Sequence, residues 1–347
     1  MVYERFLRPL LFGCSPAAAH DLGLGALGVL DTAPMVRAIE MTLSDVPERP
    51  VECMGLRFRH PVGLAGGFDK NARVPSALLA LGFSFLELGT VTALPQAANP
   101  APNIFRLPAD RALINRLGFP NEGARVVAAR IGARRASRPF SAPVGTSIGK
   151  SRAVPVDDES RVLADYTDSL RAVLPVSDFV VVNVSSPNTA NLRALQSADT
   201  AERLLRVLQA AAVDAGFPRM PLLLKVAPDL TDEGFDALLD VVRRVGLTGI
   251  IAANTTVKRD GLKTDAGKVT ALGAGGLSGP PVRERALAMV SRARQALGSA
   301  ATIVGVGGIE EASHARAYLD AGANLVQLYT GFIYGGPLVA RTIAAGL

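Results

Sequence analysis

Eight apolar runs of strand length, most of them followed by a stretch of helical periodicity, constrain this chain more than any other feature. The runs are residues 62–67, 85–91, 142–149, 179–185, 221–227, 249–256, 302–308 and 325–331. Most are continuous rather than alternating, the pattern of parallel strands covered on both faces. Helical patterns lie between them at 122–135, 160–174, 200–215, 232–245, 281–297 and 310–321. Thr231 ahead of Asp232-Glu233 reads as a helix start, and so does Gly308 ahead of Ile309-Glu310-Glu311. Eight such repeats predict an α/β protein of the (β/α)8, TIM-barrel type.

Residues 1–45 fall outside the repeat, which divides the chain into an N-terminal helical extension, 1–45, and a barrel domain, 46–347. Segments 4–12 and 16–30 read as two short helices with apolar faces, flanked by Arg5, Arg8 and Arg37. Two readings stand: a hairpin packed on the barrel, or an interfacial pair resting on an anionic membrane. No apolar stretch reaches the ~18 residues that span a bilayer. The start also lacks the apolar core of a secretory signal, so the protein is expected on the cytoplasmic side.

A net charge of +6 over 347 residues is mild, and most basic clusters read as solvated helix faces. An acidic ligand or an anionic membrane surface suits it better than nucleic acid, since no aromatic-studded basic module is visible. The two cysteines, Cys14 and Cys53, form no metal spacing. His20, His60 and His314 lie far apart and at no strand end, which argues against a metal site or a Ser-His triad.

The polar residues that interrupt the apolar runs gather at one end of each strand, where barrels of this type keep their active sites. Gly305-Val306-Gly307-Gly308 after strand seven and Tyr329-Thr330-Gly331 after strand eight suit a phosphate, because glycine lets backbone N–H groups approach the oxygens. Asn115, Asn183, Asn188 and Asn254 sit at strand or loop ends. Each amide offers two donors and an acceptor, and together they match an anionic ring that alternates N–H and C=O. Lys70 ends strand one, and Lys225 stands inside an apolar strand, where a lysine is costly unless paired. Two roles compete for Lys225: a Schiff base, as in barrel aldolases, or a cation holding negative charge that develops on a cofactor.

With these residues in view, the chain resembles the quinone-reducing, membrane-associated class 2 of the dihydroorotate dehydrogenase family. The matching segments are GLAGGFDKNA, ELGTVT, LINRLGFPNEG, VNVSSPNT, LKVAPDL, ANTT, GGLSG, VGVGGI and LVQLYTGFIYGGP, which together run from 62 to 337. The resemblance implies oxidation of dihydroorotate to orotate in pyrimidine biosynthesis, with FMN in the barrel mouth and a membrane quinone as final acceptor. Ser186 matches the catalytic base; the cytosolic class 1 enzymes carry cysteine there. The FMN positions are Gly66, Gly67, Phe68, Asp69, Lys70, Thr90, Ser147, Asn183, Lys225, Ala253, Gly279, Gly308, Tyr329 and Thr330. The dihydroorotate positions are Lys70, Asn115, Arg116, Leu117, Gly118, Phe119, Asn183, Asn188, Asn254 and Thr255.

A proton relay is implied through Thr189 and Phe119, and a quinone tunnel past His20, Arg106 and Tyr329. Peripheral attachment to the cytoplasmic face of the inner membrane and a monomer are expected. The chain departs from the family pattern at Ser147 (commonly asparagine), Ala253 (threonine), Leu94 (a basic residue) and Gly66 (alanine). The alternatives are a class 1-like enzyme with a soluble acceptor, and the aldolase that uses Lys225.

Overall fold

The computed structural model describes residues 3–43, 48–189 and 191–347. The eight expected strands are β1 (Val62–Leu64), β2 (Leu86–Val91), β3 (Val144–Ile148), β4 (Val180–Asn183), β5 (Leu222–Val226), β6 (Gly249–Ala252), β7 (Thr302–Val306) and β8 (Leu325–Leu328). They close into a parallel barrel in chain order, with β8 returning to β1. Nearly all their residues are buried, as a sheet with helices outside and packed side chains inside requires. Most strands end earlier than the apolar runs do. The polar residues that follow, such as Ser185 and Ser186 after β4, leave the ladder for the loops that carry the site.

Aromatic rings fill the N-terminal end of the barrel. Phe85 and Phe179 lie where Gly63 and Gly145 carry no side chain; a Cβ on either glycine would sit 2.4 Å or 2.2 Å from those rings. A hairpin of Val51–Cys53 with Leu56–Phe58 brings Phe58 onto Phe85, edge to face at 5.4 Å. Its turn, Met54-Gly55, has φ of 46° and 74°. A two-residue hairpin turn of this hand needs two positive φ values, and glycine supplies one without strain.

The helix Asp232–Val245 forms where the pattern predicts, burying Phe235, Leu238, Leu239 and Val242. Thr231 Oγ1 accepts a hydrogen bond from Gly234 N–H at 3.1 Å, and left-handed Gly246 ends the helix. The start expected at Gly308 is corrected. That helix is Ala312–Asp320, and Gly308 stays in the preceding loop with φ +63°. There Glu310 is held outside the helix by Arg111 and Arg283.

The extension contains three helices rather than two: α1 (Arg8–Gly13), α2 (Pro16–Leu30) and α3 (Ala33–Thr42). A π-helical turn, Tyr3–Leu7, precedes α1. The boundary expected at 45/46 lies outside the described residues. The π-helical turn and α1 are tied to the barrel by Tyr3 donating to Ile333 O at 2.6 Å and Arg8 donating to Tyr334 O at 3.0 Å. α2 buries Leu27 against the barrel. Asp31, after α2, accepts from Ala77 N–H and pairs with Arg134. The outer surface of the extension nevertheless leaves Phe6, Leu10, Leu22, Val29 and Met41 more than half exposed. Among the described residues no single helix is long and apolar enough to cross a membrane; α2 and α3 meet at 92°.

A three-stranded antiparallel sheet, Ile104–Leu107, Ala112–Asn115 and Gly276–Ser278, has no counterpart in the repeat. It delivers Asn115, Ser278 and Gly279 to the barrel mouth.

Candidate active site

The C-terminal ends of the strands surround one cleft of about 990 Å³, its open mouth included. Its wall brings together most of the residues singled out in the sequence. Gly66, Gly67, Lys70, Thr90, Asn183, Lys225, Ala253, Gly279, Gly308, Tyr329 and Thr330 line it. So do Asn115, Leu117, Gly118, Phe119, Ser186, Asn188, Asn254 and Thr255.

Four expected residues lie elsewhere. Ser147 is fully buried, with its hydroxyl 3.0 Å from Thr90 Oγ1, and reaches the cleft only through Thr90. Asp69 accepts from the N–H groups of Arg73 and Val74, both at 2.8 Å, and so fixes the turn after β1. Phe68 packs between His20, Tyr329 and Phe332. Arg116 turns away to donate to Leu272 O at 2.6 Å and Pro102 O at 3.1 Å.

The amides form two chains. Asn254 Nδ2 donates to Ser185 Oγ at 2.8 Å, Ser185 Oγ to Asn183 Oδ1 at 3.0 Å, and Asn183 Nδ2 to Thr90 Oγ1 at 2.9 Å. Asn188 Nδ2 donates to Asn115 Oδ1 at 3.0 Å. Each asparagine is therefore locked in orientation by a neighbour from a different loop, the pre-organisation that a rigid polar ring needs. Ser186 is 5% exposed; its Oγ accepts from Asn188 N–H at 3.2 Å. Thr189 Oγ1, close in sequence, is buried without a partner among the described residues.

Lys70 Nζ donates to Gly67 O at 2.6 Å. Burial pushes its ammonium down to about 8 against the opposing pull of Asp69 and Asp21. Lys225 Nζ lies 2.9 Å from both carboxylate oxygens of Glu87, and both side chains are buried. An amine held in two charge-assisted bonds is not a free nucleophile, which removes the geometric basis for the Schiff-base role.

Sequence reading missed Glu87, Gln327 and Ser278, whereas Gly307 of the expected phosphate loop lines the cleft. Glu87 and Gln327 did carry a signal, each being a polar residue inside an apolar run. Gln327 Nε2 donates to Glu87 Oε2 at 2.9 Å. Also missed was Arg193, which ties two substrate-side loops together. It donates to Ser185 O at 3.1 Å and Thr255 O at 2.9 Å while pairing with Asp229 at 2.8 Å.

A second cleft of about 1130 Å³, its open mouth included, lies between α2 and the barrel, lined by His20, Asp21, Leu24, Phe68 and others. Lys70, Leu117 and Tyr329 line both cavities, so the two share a wall. Burial, with the Lys70 charge nearby, holds His20 down at about 4, and burial pushes the Tyr329 hydroxyl up to about 12. Arg106 is not part of this lining. It donates to the carbonyls of Leu11, Phe12 and Cys14 and stacks over the Phe12 ring at 4.4 Å, so it caps α1.

Fold and site together define a (β/α)8-barrel enzyme whose mouth suits an anionic, amide-bearing ring and whose flank is opened by a helical extension. The dihydroorotate dehydrogenase family model matches residues 50–347. A dihydroorotate dehydrogenase (quinone) of Thermobifida fusca is 48% identical, with 100% of this chain and 92% of that protein covered. That of Nocardia farcinica is 46% identical, with coverage of 100% and 92%. The crystal structure of DHODH from Eimeria tenella in complex with ferulenol superposes with a TM-score of 0.82 at 35% identity, covering 96% of this chain and 93% of that one. The chain belongs to the dihydroorotate dehydrogenase family, among its quinone-dependent, class 2 members.

Proposed function

We propose that the protein oxidises dihydroorotate to orotate in the barrel cleft with FMN as the resident cofactor and passes the electrons to a quinone in the flanking cavity. One observation carries this reading: Ser186, the interlocked asparagines, Lys70 and the glycine loops all face a single cleft.

FMN fits the residues present. The glycine loops are packed so closely that a Cβ on Gly331 would sit 2.1 Å from Ile309 O, and one on Gly308 2.9 Å from Gly279 O. Gly307, Gly308 and Gly331 line the cleft there, and a phosphate would rest on their backbone N–H groups. Gln327 Oε1 is a buried acceptor with no partner among the described residues. Gly66, Gly67, Thr90, Asn183, Lys225, Ala253, Gly279, Gly308, Tyr329 and Thr330 would hold the cofactor. FMN, when bound, supplies the two-electron acceptor for the substrate's hydride.

The chain's own residues do the rest. Asn115, Asn188, Asn254 and Thr255 hold the ring, and the Lys70 ammonium faces its carboxylate, so the substrate starts near attack geometry. Ser186 Oγ takes the proton from the C–H beside the ring carbonyl. Its own hydroxyl proton leaves toward Thr189, and Phe119 shields the path from bulk water. The extension, residues 1–45, guides quinone to the second cavity past His20 and Tyr329. Its exposed Phe6, Leu10, Leu22 and Val29 support peripheral attachment to a membrane surface, for which the cytoplasmic face of the inner membrane is the proposed place.

The test is a two-stage anaerobic assay on purified protein. Dihydroorotate should bleach a bound flavin, and a quinone analogue should restore its colour more efficiently than fumarate or NAD. A colourless protein, or restoration by the soluble acceptors alone, would overturn the proposal.

A further inference from the structure

Glu87 on β2, Lys225 on β5 and Gln327 on β8 meet across the barrel interior. Lys225 and Gln327 line the cleft; Glu87 stands behind them, its side chain without solvent exposure. Its carboxylate receives three charge-assisted hydrogen bonds of 2.9 Å, two from Lys225 Nζ and one from Gln327 Nε2. Space is kept for it. A Cβ on Gly66 would lie 2.4 Å from Glu87 Oε1, and that oxygen cannot swing away while Lys225 holds it. Well-packed apolar residues often serve stability as well as a buried ion pair does. Stability alone therefore does not account for a pair set at the wall of the reaction cleft.

We propose that Glu87 is a positioning residue for the electron-transfer chemistry. It pins the Lys225 ammonium at the cleft wall and offsets its charge, while Gln327 holds the carboxylate in place and keeps its own carbonyl oxygen for the bound ring. The redox potential of the cofactor is thereby set by a residue that does not touch it. This rests on the flavin reading above.

A cation beside a group that gains negative charge on reduction favours the reduced form. A carboxylate behind that cation takes part of the effect back, strongly so in a low-dielectric interior. Glu87→Gln keeps the shape and removes the countercharge, and Gln327 can turn its amide over to accept from the new one. At a fixed reference potential the ratio of reduced to oxidised flavin then rises at least tenfold, about 30 mV upward for a two-electron couple. Lys225→Met moves the ratio at least tenfold the other way.

The experiment is spectroelectrochemical titration of the flavin in the wild-type holoenzyme and in Glu87→Gln, Lys225→Met and the double variant. A flavin-bound Glu87→Gln protein with the wild-type potential overturns the proposal alone. A wild-type protein that binds no flavin overturns the cofactor reading with it. If Glu87→Gln does not retain flavin, Glu87→Asp takes its place: the shorter carboxylate draws back from Lys225 and offsets less of its charge, so a rise in the ratio supports the proposal and the wild-type potential overturns it. In Lys225→Met the lone buried carboxylate takes up a proton, so the double variant should match Lys225→Met. A purely structural role would alter melting or cofactor retention without moving these potentials in opposite directions.

Discussion

Ser186→Ala removes one oxygen from a site whose other parts hold each other in place. Ser186 Oγ accepts a single protein hydrogen bond, from Asn188 N–H. Its loss costs about 1 kcal/mol of stability, or somewhat more if that N–H stays unpaired. Asn188 remains bound to Asn115, and the Asn254–Ser185–Asn183–Thr90 chain does not pass through Ser186. Binding of FMN and dihydroorotate should therefore change little. Loss of a positioned base slows proton transfer by about 10²–10⁴-fold, or about 3–5 kcal/mol of barrel-mouth catalysis at 1.36 kcal/mol per tenfold. Rapid mixing with dihydroorotate under anaerobic conditions reads this step directly as flavin bleaching, separate from quinone turnover. Bleaching within tenfold of the wild-type rate, with dihydroorotate saturating, would refute the role given to Ser186.

Three further outcomes follow from the geometry. Burial holds Lys70 at about 8, so it loses its charge as pH rises through that value; kcat/KM for the anionic substrate should fall above about pH 8, and a flat profile to pH 9.5 would count against Lys70 as the carboxylate's partner. Burial, then the Arg59 charge, holds His60 down at about 4 against an ordinary 6.5. The unfolded chain takes up that proton first, so this contribution is whole above pH 6.5 and is lost as pH falls toward 4, by about 3 kcal/mol; melting curves of His60→Gln between pH 7 and 5 should slope less steeply than those of the wild type, and equal slopes would refute it. Arg106→Ala frees the C-terminal carbonyls of α1. It should leave dihydroorotate-driven bleaching intact while slowing quinone-dependent reoxidation and weakening liposome association; unchanged reoxidation would mean that the cap on α1 is only packing.

The barrel was legible because parallel strands buried on both faces write continuous apolar runs, and Asp232–Val245 because its cap and its amphipathic face agree. The antiparallel strands at the mouth were not legible. Ile104–Leu107 and Ala112–Asn115 are four residues each, the first only partly buried, and their pairing with Gly276–Ser278 joins segments far apart in sequence. α3 begins with Ala33-Pro34 close behind α2, and only Val36 is buried, so its pattern is weak. At the site, the asparagines, lysines and glycines announced themselves by standing at strand ends. Arg106 and Arg116 did not, because a guanidinium beside a cleft and one turned to backbone carbonyls look alike in sequence. Glu87 stands 138 residues from Lys225 and 240 from Gln327. Each broke an apolar run, but only the closed barrel made them partners.

If one chain joins a barrel cleft that oxidises dihydroorotate to a flanking cleft that receives a quinone, both half-reactions can be read in one cuvette from flavin absorbance at single-turnover resolution, with dihydroorotate added first and a quinone analogue second. Prompt bleaching and then recovery are expected, with removal of residues 1–40 abolishing the recovery but not the bleaching. Recovery by quinone at an undiminished rate in the shortened protein, or no bleaching at all in the full chain, would contradict this reading.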